Sequence, residues 1–369
     1  MPSRGPIVSR LVARNRLRVA LWGLLALVAL SACRSDDTGK RPAPAAPLTE
    51  PTSLCRHKVL FESCRSAGEV EGWLAHPHLA ILGSAPTPGG VQDARVLTLR
   101  VPTLPPVVFR AKWRAESTAT RRNSPRRELA AYAVGKLFLD EREYVVPPTV
   151  PHCFPLDEYR EKIDKAARPS FRGTQCVYGI LSYWLEDVQS LGAARKAGWF
   201  HGARGHVFDR KLFDGNETYH DSMATVNLFT YLIAHADSHA ANFVITSDRD
   251  EPFVYSIDNS LSLGLARNAK LAPEDDWSRL RVPALPRDAV ERLRKAASRV
   301  DELRSCAELE RRDGQLIVVE RRSSAPPRDG MDWVEGRLRV GLTASEIAGV
   351  RDRIARLSER AAHDQLKLY

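Results

Sequence analysis

Apolar and polar residues alternate with a period of two along residues 107–114 ("VVFRAKWR"), placing Phe109, Ala111 and Trp113 on one face and Arg110, Lys112 and Arg114 on the other. That pattern predicts a half-buried strand, and "ARVLTLRVP" just before it predicts another, both bounded by Pro and Gly. The period then changes. "NSPRRELAAYAVGKLF" reads as a helix with Ser124 at the N-cap, Pro125 at the first helical position and Glu128 in the opening turns, where the helix dipole favours a negative charge. The apolar run of "CVYGILSYWLEDV" predicts a strand joining two lobes, and Met223, Val226, Leu228, Phe229, Leu232 and Ile233 mark a largely buried helix. "FVYSIDNSLSLG" reads as a strand and turn, and Thr343 followed by Glu346 reads as a capping box opening a final amphipathic helix. Strands gathered in the first half and helices in the second predict an α+β chain with a β-rich first lobe and a mainly helical second.

The N-terminus departs from this pattern. Arg4, Arg10, Arg14, Arg16 and Arg18 precede the apolar run "VALWGLLALVAL", which is short for a bilayer-crossing helix and is followed by "LSAC". This order is that of a secretory signal, and "LSAC" resembles the bacterial lipobox, in which Cys33 becomes the lipidated first residue; an uncleaved anchor or a buried cysteine is the other reading. The expectation is an exported bacterial lipoprotein on the periplasmic or cell-surface side of a membrane. Residues 1–32 would be the signal peptide and the Pro- and Ala-rich 33–55 a flexible tether. Residues 56–187 would be the first lobe, and 188–369 the second with a helical C-terminal extension.

The net charge of +10 is partly a property of that leader, and the rest of the chain has no long basic tract with interleaved aromatics, so nucleic acid is excluded as a partner. Besides Cys33 there are Cys55, Cys64, Cys153, Cys176 and Cys306. Export permits disulfides. The nearest pairs are Cys55 with Cys64 and Cys153 with Cys176, the latter the first choice. No CxxC is present, which disfavours a thiolate zinc site.

Candidate chemistry concentrates in "HADSHAANFVITSDRDEPFVYSIDNSLSLG", residues 235–264. Asp237 and Asn242 stand five apart, and Asp258 follows sixteen residues later. With Lys112 and Glu128 upstream, the order Lys, Glu, Asp, Asn, Asp resembles that of protein kinases, whose H-R-D-x-x-x-x-N loop has the same internal spacing. The wording is closer to atypical kinases: "HADSHAANF" and "YSIDNSLSLG" resemble motifs of HipA-like and phosphatidylinositol 3/4-kinase-like proteins, and "RRELAAYAVGKLF" with "VVPPTV" is similar to the secretory-pathway Golgi casein kinase family. The resemblance spans roughly residues 80–265. It departs from ordinary protein kinases at Asp258-Asn259-Ser260, in the absence of G-x-G-x-x-G, and in the absence of an A-P-E segment.

The resemblance implies a two-lobed protein-kinase-like fold and transfer of the ATP γ-phosphate to a hydroxyl. Lys112 would hold phosphate oxygens and Glu128 would orient Lys112. Asp237 would take the acceptor proton, while Asn242 and Asp258 would hold Mg²⁺ or Mn²⁺ through hard oxygen ligands. Arg110 and the turn containing Gly83, Gly89 and Gly90 are lesser candidates for phosphate contact, a plain hairpin loop being the other reading of the turn. The implied partners are a nucleotide, a hydroxyl-bearing acceptor whose first choice is Ser or Thr of a secreted protein, and a membrane through the lipid anchor. Scarce ATP outside the cytoplasm makes an inactive nucleotide-binding scaffold a second expectation. A third is a zinc-dependent hydrolase, in which His235 and His239 share one helix face.

Overall fold

In the computed structural model, residues 54–55, 64–88, 94–116, 123–200, 208–264, 276–322 and 326–369 are described. Cys33, Gly89 and Gly90 lie outside them, as do the expected signal peptide and most of the tether. The alternating segments pair as the period of two requires. Helix α1 (Ala67–Leu74) precedes β1 (Ala80–Pro86), β2 (Arg95–Val101) and β3 (Val107–Ala115). Helix α2 (Arg126–Phe138) leads to β4 (Thr149–Pro155), the short α3 (Leu156–Lys162) and β5 (Cys176–Tyr183). The five strands form an antiparallel sheet in the order β1-β2-β3-β5-β4.

One face of this sheet is apolar. Leu97, Leu99, Phe109, Ala111, Trp113 and Leu181 pack there with Val70, Trp73 and Leu74 of α1 and with Tyr159 of α3. The opposite face carries Lys112, paired in register with Ser182 of β5. Gly179 sits opposite Ala115 on β5, and a Cβ there would lie 2.3 Å from the Arg114 carbonyl oxygen and 2.6 Å from the Trp113 ring. Only glycine lets the two strands close at that point.

Beyond β5 the chain passes into β6 (Val188–Ser190), α4 (Leu191–Lys196), α5 (Arg210–Gly215) and the buried α6 (Glu217–Leu232). A hairpin of β7 (Phe243–Thr246) and β8 (Val254–Ser256) follows and pairs with β6 through β7. Helix α7 (Arg287–Ala296) completes the helical part, and its Ala289, Val290 and Leu293 share one core with α6 and with Ala130, Ala131 and Val134 of α2. Helix α2 thus belongs to both halves of the molecule.

The C-terminal extension is not wholly helical. Before α8 (Ala344–Ala362) it forms β9 (Ala307–Arg312), β10 (Gln315–Val319), β11 (Met331–Val334) and β12 (Arg337–Val340), an antiparallel sheet in the order β10-β9-β12-β11. Leu309, Leu316, Leu338 and Val340 pack on Cys153, Cys176, Tyr178 and Ile180, so this second sheet covers the β4–β5 side of the first. All these elements belong to one unit from Ala45 to Tyr369.

Disulfides join Cys55 to Cys64 and Cys153 to Cys176, while Cys306 is a free thiol whose burial raises its pKa to about 12. The Cys153–Cys176 bond ties β4 to β5 across a separation of 23 residues, beneath the second sheet. On the chain-entropy account such a closure stabilises by about 3 kcal/mol. The double variant Cys153→Ala/Cys176→Ala is therefore expected to lose about that much in urea unfolding, and an unchanged midpoint would show that the bond contributes nothing.

Candidate active site

Lys112 projects from the polar face of β3, the position that the alternation predicts. Its Nζ lies 3.1 Å from Glu128 Oε1 and 3.2 Å from Asp258 Oδ1. Glu128 is the third residue of α2 and its side chain is only 7 % exposed. At an effective dielectric of about 20, one such contact supplies on the order of 5 kcal/mol of gross attraction, against several kcal/mol to dehydrate each ion. Burial pulls the amine's pKa down, yet Glu128 and Asp258 together hold it above the ordinary lysine value.

The second oxygen of Glu128 accepts the backbone N–H of Asn259 at 2.9 Å. One carboxylate thereby fastens both β3 and the segment after β8. Asn259 is itself fully buried, its Oδ1 accepting from Ser256 Oγ at 2.7 Å. Asp258 has φ of 55°, a left-handed conformation that Asp tolerates better than most residues. Desolvation pushes the Asp258 carboxyl up, but Lys112 and Arg114 outweigh it and hold it well below the usual carboxylate range. Ser260 Oγ, 3.3 Å from Asp258 Oδ1, adds a second partner.

Asn242 and Asp258 flank the open end of one hairpin. Phe243 pairs with Ser256 in register, and the Ile257 N–H donates to the Asn242 carbonyl at 2.9 Å. The Asn242 amide nitrogen donates to the Asp237 carbonyl at 2.7 Å and stands 3.3 Å from Asp237 Oδ2, which leaves Oδ1 as its donor atom for a cation. His239 Nδ1 accepts the Ala241 N–H, so in the neutral ring the proton sits on Nε2, 3.6 Å from Asp237 Oδ2. A carboxylate and an amide oxygen at one hairpin end form a hard-oxygen donor set of the kind that could hold Mg²⁺ or Mn²⁺.

The other expected groups fall elsewhere. Arg110 lies on the same face of β3 but is gripped by Glu186, with Nε–Oε1 at 2.7 Å and a second contact from its terminal nitrogen, and its guanidinium lies 5.9 Å from the Trp184 ring centre. It braces the segment linking the lobes and is not part of the Lys112 cluster. Gly83 is within β1, at a register shift beside Ile81, rather than in a phosphate-cradling turn. The helix containing Glu128 starts one residue later than its Ser124 cap predicts; the Ser124 hydroxyl donates to the Glu116 carboxylate at 3.1 Å and accepts the Arg126 N–H at 3.4 Å.

The shared helix face expected of His235 and His239 is absent. Helix α6 ends at Leu232, the Ala234 N–H bonds the Tyr231 carbonyl, and the His235 N–H bonds the Thr230 carbonyl, which together form a Schellman motif. Ala234 occupies its left-handed position with φ of 49°. His235 is fully buried and its pKa is lowered by desolvation to about 4, so it is a neutral packing residue. Among the described residues no group of three or more His, Cys, Asp or Glu is placed to hold a metal ion.

A lysine on the third strand of a five-stranded antiparallel sheet, a glutamate on the next helix, and acidic positions around a hairpin in a helical second lobe define a protein-kinase-like fold. The chain is similar to the crystal structure of the Golgi casein kinase with Mn/ADP bound, at 12% identity and a TM-score of 0.46 over 82% of this chain and 78% of that one. It is similar also to the crystal structure of the Golgi casein kinase, at 12% identity and 0.46 over 80% and 74%. No protein-family model matches the chain, and no curated protein matches it significantly. The kinase-like assignment stands on the arrangement of Lys112, Glu128, Asp237, Asn242 and Asp258.

The Schellman turn carries its own test. A left-handed alanine costs about 1 kcal/mol or more relative to glycine. Ala234→Gly is expected to raise the unfolding free energy by about that amount, and a lowered melting temperature would contradict the assignment of the turn.

Proposed function

We propose that the protein is an atypical kinase that transfers the ATP γ-phosphate to a hydroxyl acceptor. The observation that carries this reading is the contact of Lys112 with both Glu128 and Asp258, which joins the two lobes at one amine. A transition state of phosphoryl transfer spreads negative charge over the transferred oxygens, so what the protein must supply is position and positive charge. Lys112, held by Glu128, meets phosphate oxygens. Asp258 and Asn242 would hold Mg²⁺ or Mn²⁺, which would supply positive charge to the transferred phosphate. Asp237 accepts the proton of the acceptor hydroxyl as the new P–O bond forms and the bond to the departing diphosphate breaks; the Asn242 amide and the His239 ring keep its carboxylate in place.

The finer reading follows from the N-terminal residues. Lipidation at Cys33 tethers the kinase lobes, 56–187 and 188–369, to the outer side of a bacterial membrane, with Ser or Thr of a secreted protein as acceptor. The two disulfides fit an oxidising compartment. Arg110, paired with Glu186, stays a lesser candidate for phosphate contact.

Two substitutions separate the roles. Asp258→Ala is expected to abolish metal-dependent ATP binding together with turnover. Asp237→Asn, which keeps shape and loses charge, is expected to retain binding while turnover falls by about 100-fold or more. ATP affinity with Mn²⁺ and phosphate transfer or ATP hydrolysis are measured for both beside the parent. Parental affinity and turnover in both variants would refute the assignment. A parent that binds Mn²⁺ and ATP without turnover would establish the nucleotide-binding scaffold instead.

A further inference from the structure

Two arginines, Arg126 and Arg127, occupy the first turn of α2 immediately before Glu128. Positive charge there opposes the helix dipole, and both side chains are buried, so an anion has to meet them. The anion comes from the far end of the chain. Glu346, at the third position of α8, accepts from Arg126 through two nitrogens at 2.9 and 2.8 Å, and from Arg127 Nε at 3.1 Å. Its own place is set by the Thr343 capping box, in which Glu346 Oε2 accepts the Thr343 N–H at 2.9 Å. Arg126 also donates to the Gly341 carbonyl at 3.0 Å, and its guanidinium passes over Gly330, where a Cβ would come within 2.2 Å of it. The second sheet and α8 are thus shaped around the start of α2.

A tie that merely joined α8 to the core would be served as well by apolar contacts, which replace buried ion clusters at little or no cost. This one grips the two residues that precede Glu128, whose carboxylate holds Lys112 and the Asn259 N–H. We infer that Glu346 is a positioning residue for the Lys112–Glu128 pair, so that the start of α8 is part of the apparatus that sets the phosphate site. The inference rests on the reading of that pair as the phosphate-binding element of a kinase.

The test reads Lys112 directly, without nucleotide. Acetylation of Lys112 is followed by peptide mass spectrometry against exposed Lys165 as internal reference, in the parent, Glu346→Gln, Arg127→Lys and Leu357→Ala, the last a core truncation elsewhere on α8. Loss of the clamp is expected to raise relative Lys112 labelling at least about threefold in Glu346→Gln and to weaken Mn²⁺-dependent ATP binding by a similar factor, with a smaller change in Arg127→Lys. Leu357→Ala is expected to lower the melting temperature and leave both readouts at the parental level. If Glu346→Gln does not fold, Arg127→Lys decides, by whether its relative Lys112 labelling rises above the parental level while that of Leu357→Ala does not. Unchanged labelling in the folded clamp variants, or an equal rise in Leu357→Ala, would overturn the inference. A parent that fails to bind ATP with Mn²⁺ would sink the kinase reading alone, and the labelling ratios would still judge the clamp.

Discussion

The Glu128 carboxylate is the point on which the arrangement of the site depends. It is almost wholly buried, and each of its oxygens is committed to a different part of the chain: one to Lys112 on β3, the other to the N–H of Asn259 beyond β8. A buried carboxylate with a single partner would be a liability of several kcal/mol. With both partners in place it fixes the distance between the polar face of the sheet and the loop that carries Asp258. Helix α2 contributes to the core of the helical half through Ala130, Ala131 and Val134, so the position of Glu128 reports on the packing of both halves at once.

Much of the surrounding structure follows from keeping that helix in place. The second sheet buries the β4–β5 edge region under Leu309, Leu338 and Val340, and the Cys153–Cys176 disulfide lies in the same layer. From this layer the chain enters α8, whose capped first turn delivers Glu346 to the arginines of α2. A cavity of about 490 Å³, lined by residues including Arg142, Asp221, Phe253 and Tyr369, lies apart from the Lys112 cluster and shares no residue with it. The Lys112 cluster lies instead where β3 meets the segment after β8.

Elements with a clean period were legible from residues alone. The alternation of 107–114 located Lys112 on the polar face of β3, and the spacing of Asp237, Asn242 and Asp258 matched a hairpin that brings Asn242 and Asp258 to one end. Three features were hidden for identifiable reasons. β1 contains Gly83 and Pro86, residues that ordinarily mark turns, and β9 to β12 carry so many charged residues that their apolar face is thin. The end of α6 was obscured because Ala234, not glycine, takes the left-handed position, and without that signal His235 and His239 appeared to continue a helix. Long-range partners were the least visible: Arg110 meets Glu186 across 76 residues, and Arg126 meets Glu346 across 220. A capping box announces a helix start but says nothing of what else its glutamate will hold.

The central claim is that the five polar residues gathered around Glu128 and Asp258 constitute a metal-dependent nucleotide site. Its most direct measurement is the melting temperature of the parent protein with ATP and Mn²⁺ together, with ATP alone and with Mn²⁺ alone. A ligand at 100 times its Kd stabilises the native state by about 2.7 kcal/mol, ample for a visible shift. The account predicts a clear rise with the pair, well beyond the effects of either alone. No rise with ATP and Mn²⁺ together, at concentrations where neither limits, would contradict it.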